Sequence, residues 1–78
     1  MTEYGVILFH TTSAVMMAEK VMLKANLVIK LIPTPRQFSS DCGISIRFAW
    51  SDVEKIKQLL AEERVELGAI HPVDPKGA

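Results

Sequence analysis

Val6-Ile7-Leu8-Phe9 is a short apolar run of branched and aromatic residues, too brief for a helix, and it gives way at once to His10-Thr11-Thr12-Ser13. This pattern predicts a buried strand followed by a helix start. Thr11 or Thr12 can cap the first free amides, and Ala14, Val15, Ala18, Val21, Met22 and Ala25 then recur at helical spacing, with Glu19, Lys20 and Lys24 on the other side. Met16 and Met17 are assigned with Val21 and Met22 to the packed face or its border. Asn26 tolerates a left-handed backbone and marks the helix end.

Val28-Ile29-Lys30-Leu31-Ile32 reads as a second strand stopped by Pro33, and a polar loop then runs to Cys42. Ile44-Ser45-Ile46-Arg47-Phe48 alternates with a period of two, the cleanest strand signal in the chain. Ser51-Asp52-Val53-Glu54 has the form of a capping box, opening a helix that buries Val53, Ile56, Leu59 and Leu60. Leu67 to His71 supplies a last strand before Pro72, and residues 72–78 read as a frayed tail.

The order strand, helix, strand, strand, helix, strand is that of an α+β, ferredoxin-like βαββαβ sandwich. It predicts a four-stranded antiparallel sheet with two helices on one face and strands one and three in the centre. The end of the first strand then lies beside Cys42 and Gly43, at the edge where the first helix begins. His71 should sit at the far edge, out of reach of Cys42. Alternation leaves apolar residues on the face without helices, which suggests a homo-oligomer or a docked partner there.

Composition narrows the functional classes. With 78 residues, 49% of them hydrophobic, there is room for a single packed domain, ordered from about residue 4 to 71. Nine basic and nine acidic residues leave no basic excess for a phosphate backbone, and the third strand lacks stacking aromatics, so nucleic acid is not expected. The longest apolar run falls far short of the roughly 20 residues that a membrane span needs. One cysteine and two histidines, separated by the topology, do not make a metal site. An unpaired cysteine and an N-terminus without a basic cluster point to a reducing cytoplasm.

Cys42 stands in Pro33-Thr34-Pro35-Arg36-Gln37-Phe38-Ser39-Ser40-Asp41-Cys42-Gly43, a turn-forming stretch where a space-filling thiol is unexpected. The predicted topology brings it near the amides of Thr12, Ser13 and Ala14, and a helix N-terminus carries about half a positive charge that favours an anion. Arg36 could stabilise a thiolate, and Ser39 and Ser40 could donate to it. Gly43 would admit a partner, and His10 could act as a base, whereas Asp41 would oppose a second anion. Each residue also has a plainer role: Cys42 as a small residue filling space under the loop, Arg36 as a solvated turn residue, and the serines as bonds to their own backbone.

The segments Phe9-His10-Thr11-Thr12-Ser13-Ala14, Glu19-Lys20, Leu31-Ile32-Pro33-Thr34-Pro35-Arg36 and Ser39-Ser40-Asp41-Cys42-Gly43-Ile44 together resemble a small bacterial family of selenium or sulfur carrier-like proteins. The resemblance runs from about Tyr4 to His71. Its most specific part is Pro-Thr-Pro-Arg with a Cys-Gly pair beyond it. It implies a carrier rather than a conventional enzyme, with no cofactor beyond covalent sulfur or selenium on Cys42 and with a sulfur or selenium donor protein as partner. The better-known sulfur-relay carriers have proline after the cysteine, where this chain has Gly43. The competing reading is a small regulatory or interaction domain in which Cys42 is structural.

Overall fold

The computed structural model describes residues 3–38 and 42–73. In chain order the elements are β1 (Tyr4–Leu8), α1 (Thr12–Lys24), β2 (Ile29–Pro33), β3 (Ile44–Ala49), a 3-10 turn (Trp50–Asp52), α2 (Val53–Glu62) and β4 (Ala69–Val73). The strands form one antiparallel sheet in the order β2-β3-β1-β4, the ferredoxin-like arrangement expected from the periodicities.

Directly opposed residues share a sheet face, so the register sorts every strand side chain. Ile7, Ile46 and Phe48 turn toward the helices and join Phe9, Val15, Ala18, Met22, Ile56 and Leu60 in the main core. Val6, Leu8 and Val73 face the other way and form a second, smaller cluster. The face opposite the helices is therefore not left open. Phe38, from the loop between β2 and β3, packs against that cluster and stacks on His71, with ring centroids 4.5 Å apart and 6° between planes. Val6 is fully buried as a result. To reach β4, this loop crosses from one edge of the sheet to the other, three interstrand spacings or about 14 Å.

Both helices end by the same device. Asn26 takes a φ of 63°, its amide bonds Leu23 O, and the amide of buried Leu27 reaches back to Met22 O. Arg64 takes a φ of 56°, its amide bonds Ala61 O, and that of buried Val65 reaches Leu60 O. These are Schellman closures, in which a left-handed residue turns the chain and the next apolar residue seals the helix end. Asn26 was expected in this role and Arg64 was not.

The helix starts differ more. Thr11 caps α1, its Oγ1 accepting from Ala14 N at 3.1 Å. The Ser51–Glu54 capping box does not form: Trp50 N bonds Glu3 O at 2.9 Å, and the chain enters α2 through the 3-10 turn with Asp52 as an N-cap that makes no side-chain cap bond. Glu54 instead lies 4.0 Å from Lys57 on the exposed face, a pair worth little in water. Met16 and Met17, assigned to the packed face of α1 or its border, are more than half exposed. The last strand begins later than the sequence pattern suggested and runs through Pro72 to Val73, which an edge strand permits because one side of its backbone needs no partner. Residues 74–78, the rest of the expected tail, lie outside the described residues.

Gly5 lies opposite Phe48 in the β1–β3 ladder, under the stacked Phe48 and Trp50 rings. A Cβ there would run into the Phe48 ring and come within 2.7 Å of Trp50 Cε3. Gly5→Ala is expected to cost about 1–3 kcal/mol through overpacking, read as a lower urea midpoint. Arg64→Gly is expected to act in the opposite sense, raising stability by about 1 kcal/mol, because glycine holds the left-handed conformation without a Cβ penalty. An unchanged midpoint for either variant contradicts the packing or the strain argument respectively.

Candidate functional site

Cys42 is 4% exposed and belongs to the helix-side core, with Ile7, Phe9 and Val15. Its sulfur is 3.7 Å from Thr12 Oγ1, and either atom can donate. The predicted approach of the loop to the start of α1 is thus present, and a hydroxyl is what makes it. Ala14 N, one of the amides expected to serve the sulfur, is instead engaged by Thr11 Oγ1. Ser13 lies exposed in the first turn of α1.

The side chain that fixes the cysteine segment is Thr34. Its amide bonds Gly43 O at 2.9 Å, extending the β2–β3 ladder one step beyond Pro33↔Ile44. Its Oγ1 donates to Cys42 O at 3.0 Å and lies 2.8 Å from Ser45 Oγ. Because the Thr34 proton goes to the carbonyl, Ser45 donates the second bond, and the buried Ser45 hydroxyl is satisfied. The sequence reading passed over Thr34, although its register follows from the strand: continuing the pairing from Ile32↔Ser45 sets Thr34 opposite Gly43.

Gly43 is exposed, and nothing lies within 4 Å of a Cβ built on it. There is open space beside the cysteine backbone, and no positive φ demands glycine. Arg36 is exposed in the turn closed by Phe38 N donating to Pro35 O at 3.0 Å. Ser39, Ser40 and Asp41 lie outside the described residues. His10 is exposed at the end of β1, near Gly68, whose built Cβ would stand 3.5 Å from His10 Nε2.

His71 is not at the far end of the sheet. It pairs with Val6 in the middle of β4, facing away from the helices, so the sheet itself divides it from the sulfur. Among the described residues no group of three or more His, Cys, Asp or Glu could hold a metal ion, and no helix is long and apolar enough to cross a membrane.

The match to known families covers this whole frame. A family model described as "Putative Se/S carrier protein-like" matches residues 4–72, including β1, the loop, Cys42 and nearly all of β4. The chain belongs to that family. No curated protein and no solved structure matches it. Within this Se/S carrier-like chain, the one cysteine is placed by a threonine at each side: Thr12 at its sulfur and Thr34 at its carbonyl.

Removing the Thr34 hydroxyl should loosen this arrangement. Thr34→Val is expected to lose about 1–3 kcal/mol, because Ser45 Oγ is left buried without its partner. If alkylation of Cys42 proceeds through transient opening, its rate should rise roughly fivefold or more. Thr34→Ser, which keeps the hydroxyl, should restore most of both. Equal alkylation rates in wild type and Thr34→Val would show that Thr34 does not hold the cysteine segment.

Proposed function

We propose that the chain carries sulfur or selenium on Cys42. The Cys42 thiolate attacks the terminal sulfur of a donor persulfide, forming a new S–S bond as the donor's own S–S bond breaks and the donor thiolate leaves. No net oxidation occurs: the sulfane sulfur moves from one thiol to another. A donor perselenide delivers selenium by the same exchange. A later acceptor nucleophile takes the terminal atom and frees Cys42.

The observation that carries this reading is the Thr12 hydroxyl on the Cys42 sulfur at the start of α1, in a chain whose family is that of Se/S carrier-like proteins. That hydroxyl gives the sulfur a polar neighbour where the rest of its cluster is apolar. Gly43 supports the same reading only as an exposed residue next to the cysteine, without a side chain to obstruct the segment.

One observation favours a second reading. A thiol that is 4% exposed among Ile7, Phe9 and Val15 packs as a small core residue, which suits a binding or regulatory domain with a structural Cys42. The two readings differ in what the thiol can accept. Incubated with a low-molecular-weight persulfide and weighed intact, the carrier should gain the mass of one sulfur atom, which a reductant removes. Cys42→Ser should gain none. Absence of added mass in the wild type, under conditions that load an established carrier, leaves the structural reading.

A further inference from the structure

The face opposite the helices carries a feature that sulfur transfer does not use. Lys30 on β2 and Arg47 on β3 are directly opposed in the ladder and therefore project from the same face. Like charges so placed repel one another. Among the described residues neither cation has a carboxylate partner, and the Arg47 guanidinium carbon lies 4.6 Å over the Tyr4 ring. That contact orients a half-buried guanidinium while Lys30 stays exposed beside it.

These groups border a groove of about 260 Å³ whose other walls include Val28, Ile29 and Ala49. Val28 is 83% exposed, an unusual state for a valine beside a paired strand. The groove is smaller than the usual range for drug-sized ligands, which begins at roughly 300 Å³. Two cations without acids, an aromatic ring and an apolar wall form a site of mixed character.

We propose that this groove binds a small organic oxyanion, a phosphate or carboxylate carried on a short apolar body. The anion lies between Lys30 Nζ and the Arg47 guanidinium and converts their repulsion into attraction; the body rests against Val28 and the Tyr4 ring. Cys42 is on the other face and beyond the other end of β3, so binding here is independent of its chemistry.

The test follows backbone amide resonances of the full chain at constant ionic strength during titration with phenyl phosphate, benzoate and inorganic phosphate. Phenyl phosphate or benzoate should give saturable shifts centred on Tyr4, Lys30, Arg47 and Ala49, and which of them does so names the anionic group. Lys30→Met and Arg47→Met should each weaken binding about tenfold or more, the scale of a lost charge-assisted hydrogen bond. Arg47→Lys should weaken it less than Arg47→Met, and Cys42→Ser should bind as wild type. Lys30 is exposed, so Lys30→Met keeps the test valid even if Arg47→Met fails to fold. Unsaturable shifts spread over all lysines, or unchanged affinity in Lys30→Met, would overturn the proposal. Inorganic phosphate binding as tightly as phenyl phosphate would also overturn it, since the apolar wall would then contribute nothing. So would binding confined to a single-stranded oligonucleotide.

Discussion

The closure of the β2–β3 hairpin by Thr34 is the constraint on which the placement of everything around Cys42 depends. Three bonds meet at this one residue: its amide to Gly43 O, its hydroxyl to Cys42 O, and the Ser45 hydroxyl to its own oxygen. They hold the returning strand in register one step past the end of the regular ladder. With the backbone fixed there, side-chain alternation sets Cys42 into the helix-side core beside Thr12, while Ser45 goes to the opposite face. A slip of one residue would exchange the faces and put the thiol beneath Phe38 and the serine among Ile7 and Phe9. Burying a hydroxyl there without a partner would cost more than burying the thiol does.

The same loop completes the second layer of the fold. A sheet covered by helices on one side normally leaves its other side to solvent or to a partner. Here the chain supplies a cover of its own: Phe38 lies flat on His71 and over the cluster of Val6, Leu8 and Val73. The apolar residues that suggested an association surface in the sequence are therefore largely spent within the chain. What remains accessible on that face is its more polar end, with Tyr4, Lys30 and Arg47.

Much of this fold was legible because two periodicities and two punctuation signals agree. The period of two in Ile44 to Phe48 and the helical repeat from Ala14 to Ala25 sufficed for element type, and Thr11 and Asn26 marked the ends of α1. The failures share a physical cause: a local rule met a tertiary contact or a geometric limit. Ser51 fits a capping box by spacing, yet the Trp50 amide is drawn to Glu3 O and the following turn places Ser51 inside a 3-10 segment. Met16 is hydrophobic, but two residues before buried Ala18 it points about 200° away around the helix. Phe38 had no periodicity to reveal it, because a side chain in a long loop is placed by what the loop crosses. Within the site, the meeting of Cys42 and Thr12 followed from topology alone. The role of Thr34 needed the strand register, which no single segment shows.

Burial of Cys42 and its proposed chemistry are in tension, and the local geometry limits how that tension can be resolved. The thiol belongs to the same buried cluster as Ile7, Phe9 and Val15, residues that cannot move without disturbing the packing of the helices against the sheet. Gly43 is exposed and nothing lies within 4 Å of a Cβ built on it, on the face opposite the sulfur. The bonds that Thr34 makes hold the cysteine segment, so admitting a reagent or donor without opening the core requires those bonds to give. Local opening of a hairpin end disrupts few apolar contacts and costs less than global unfolding. A thiol that is 4% exposed is largely shielded from solution, and the hairpin closure at Thr34 is what holds its segment. That arrangement fits a group meant to react with a chosen donor better than one meant to react with whatever diffuses past.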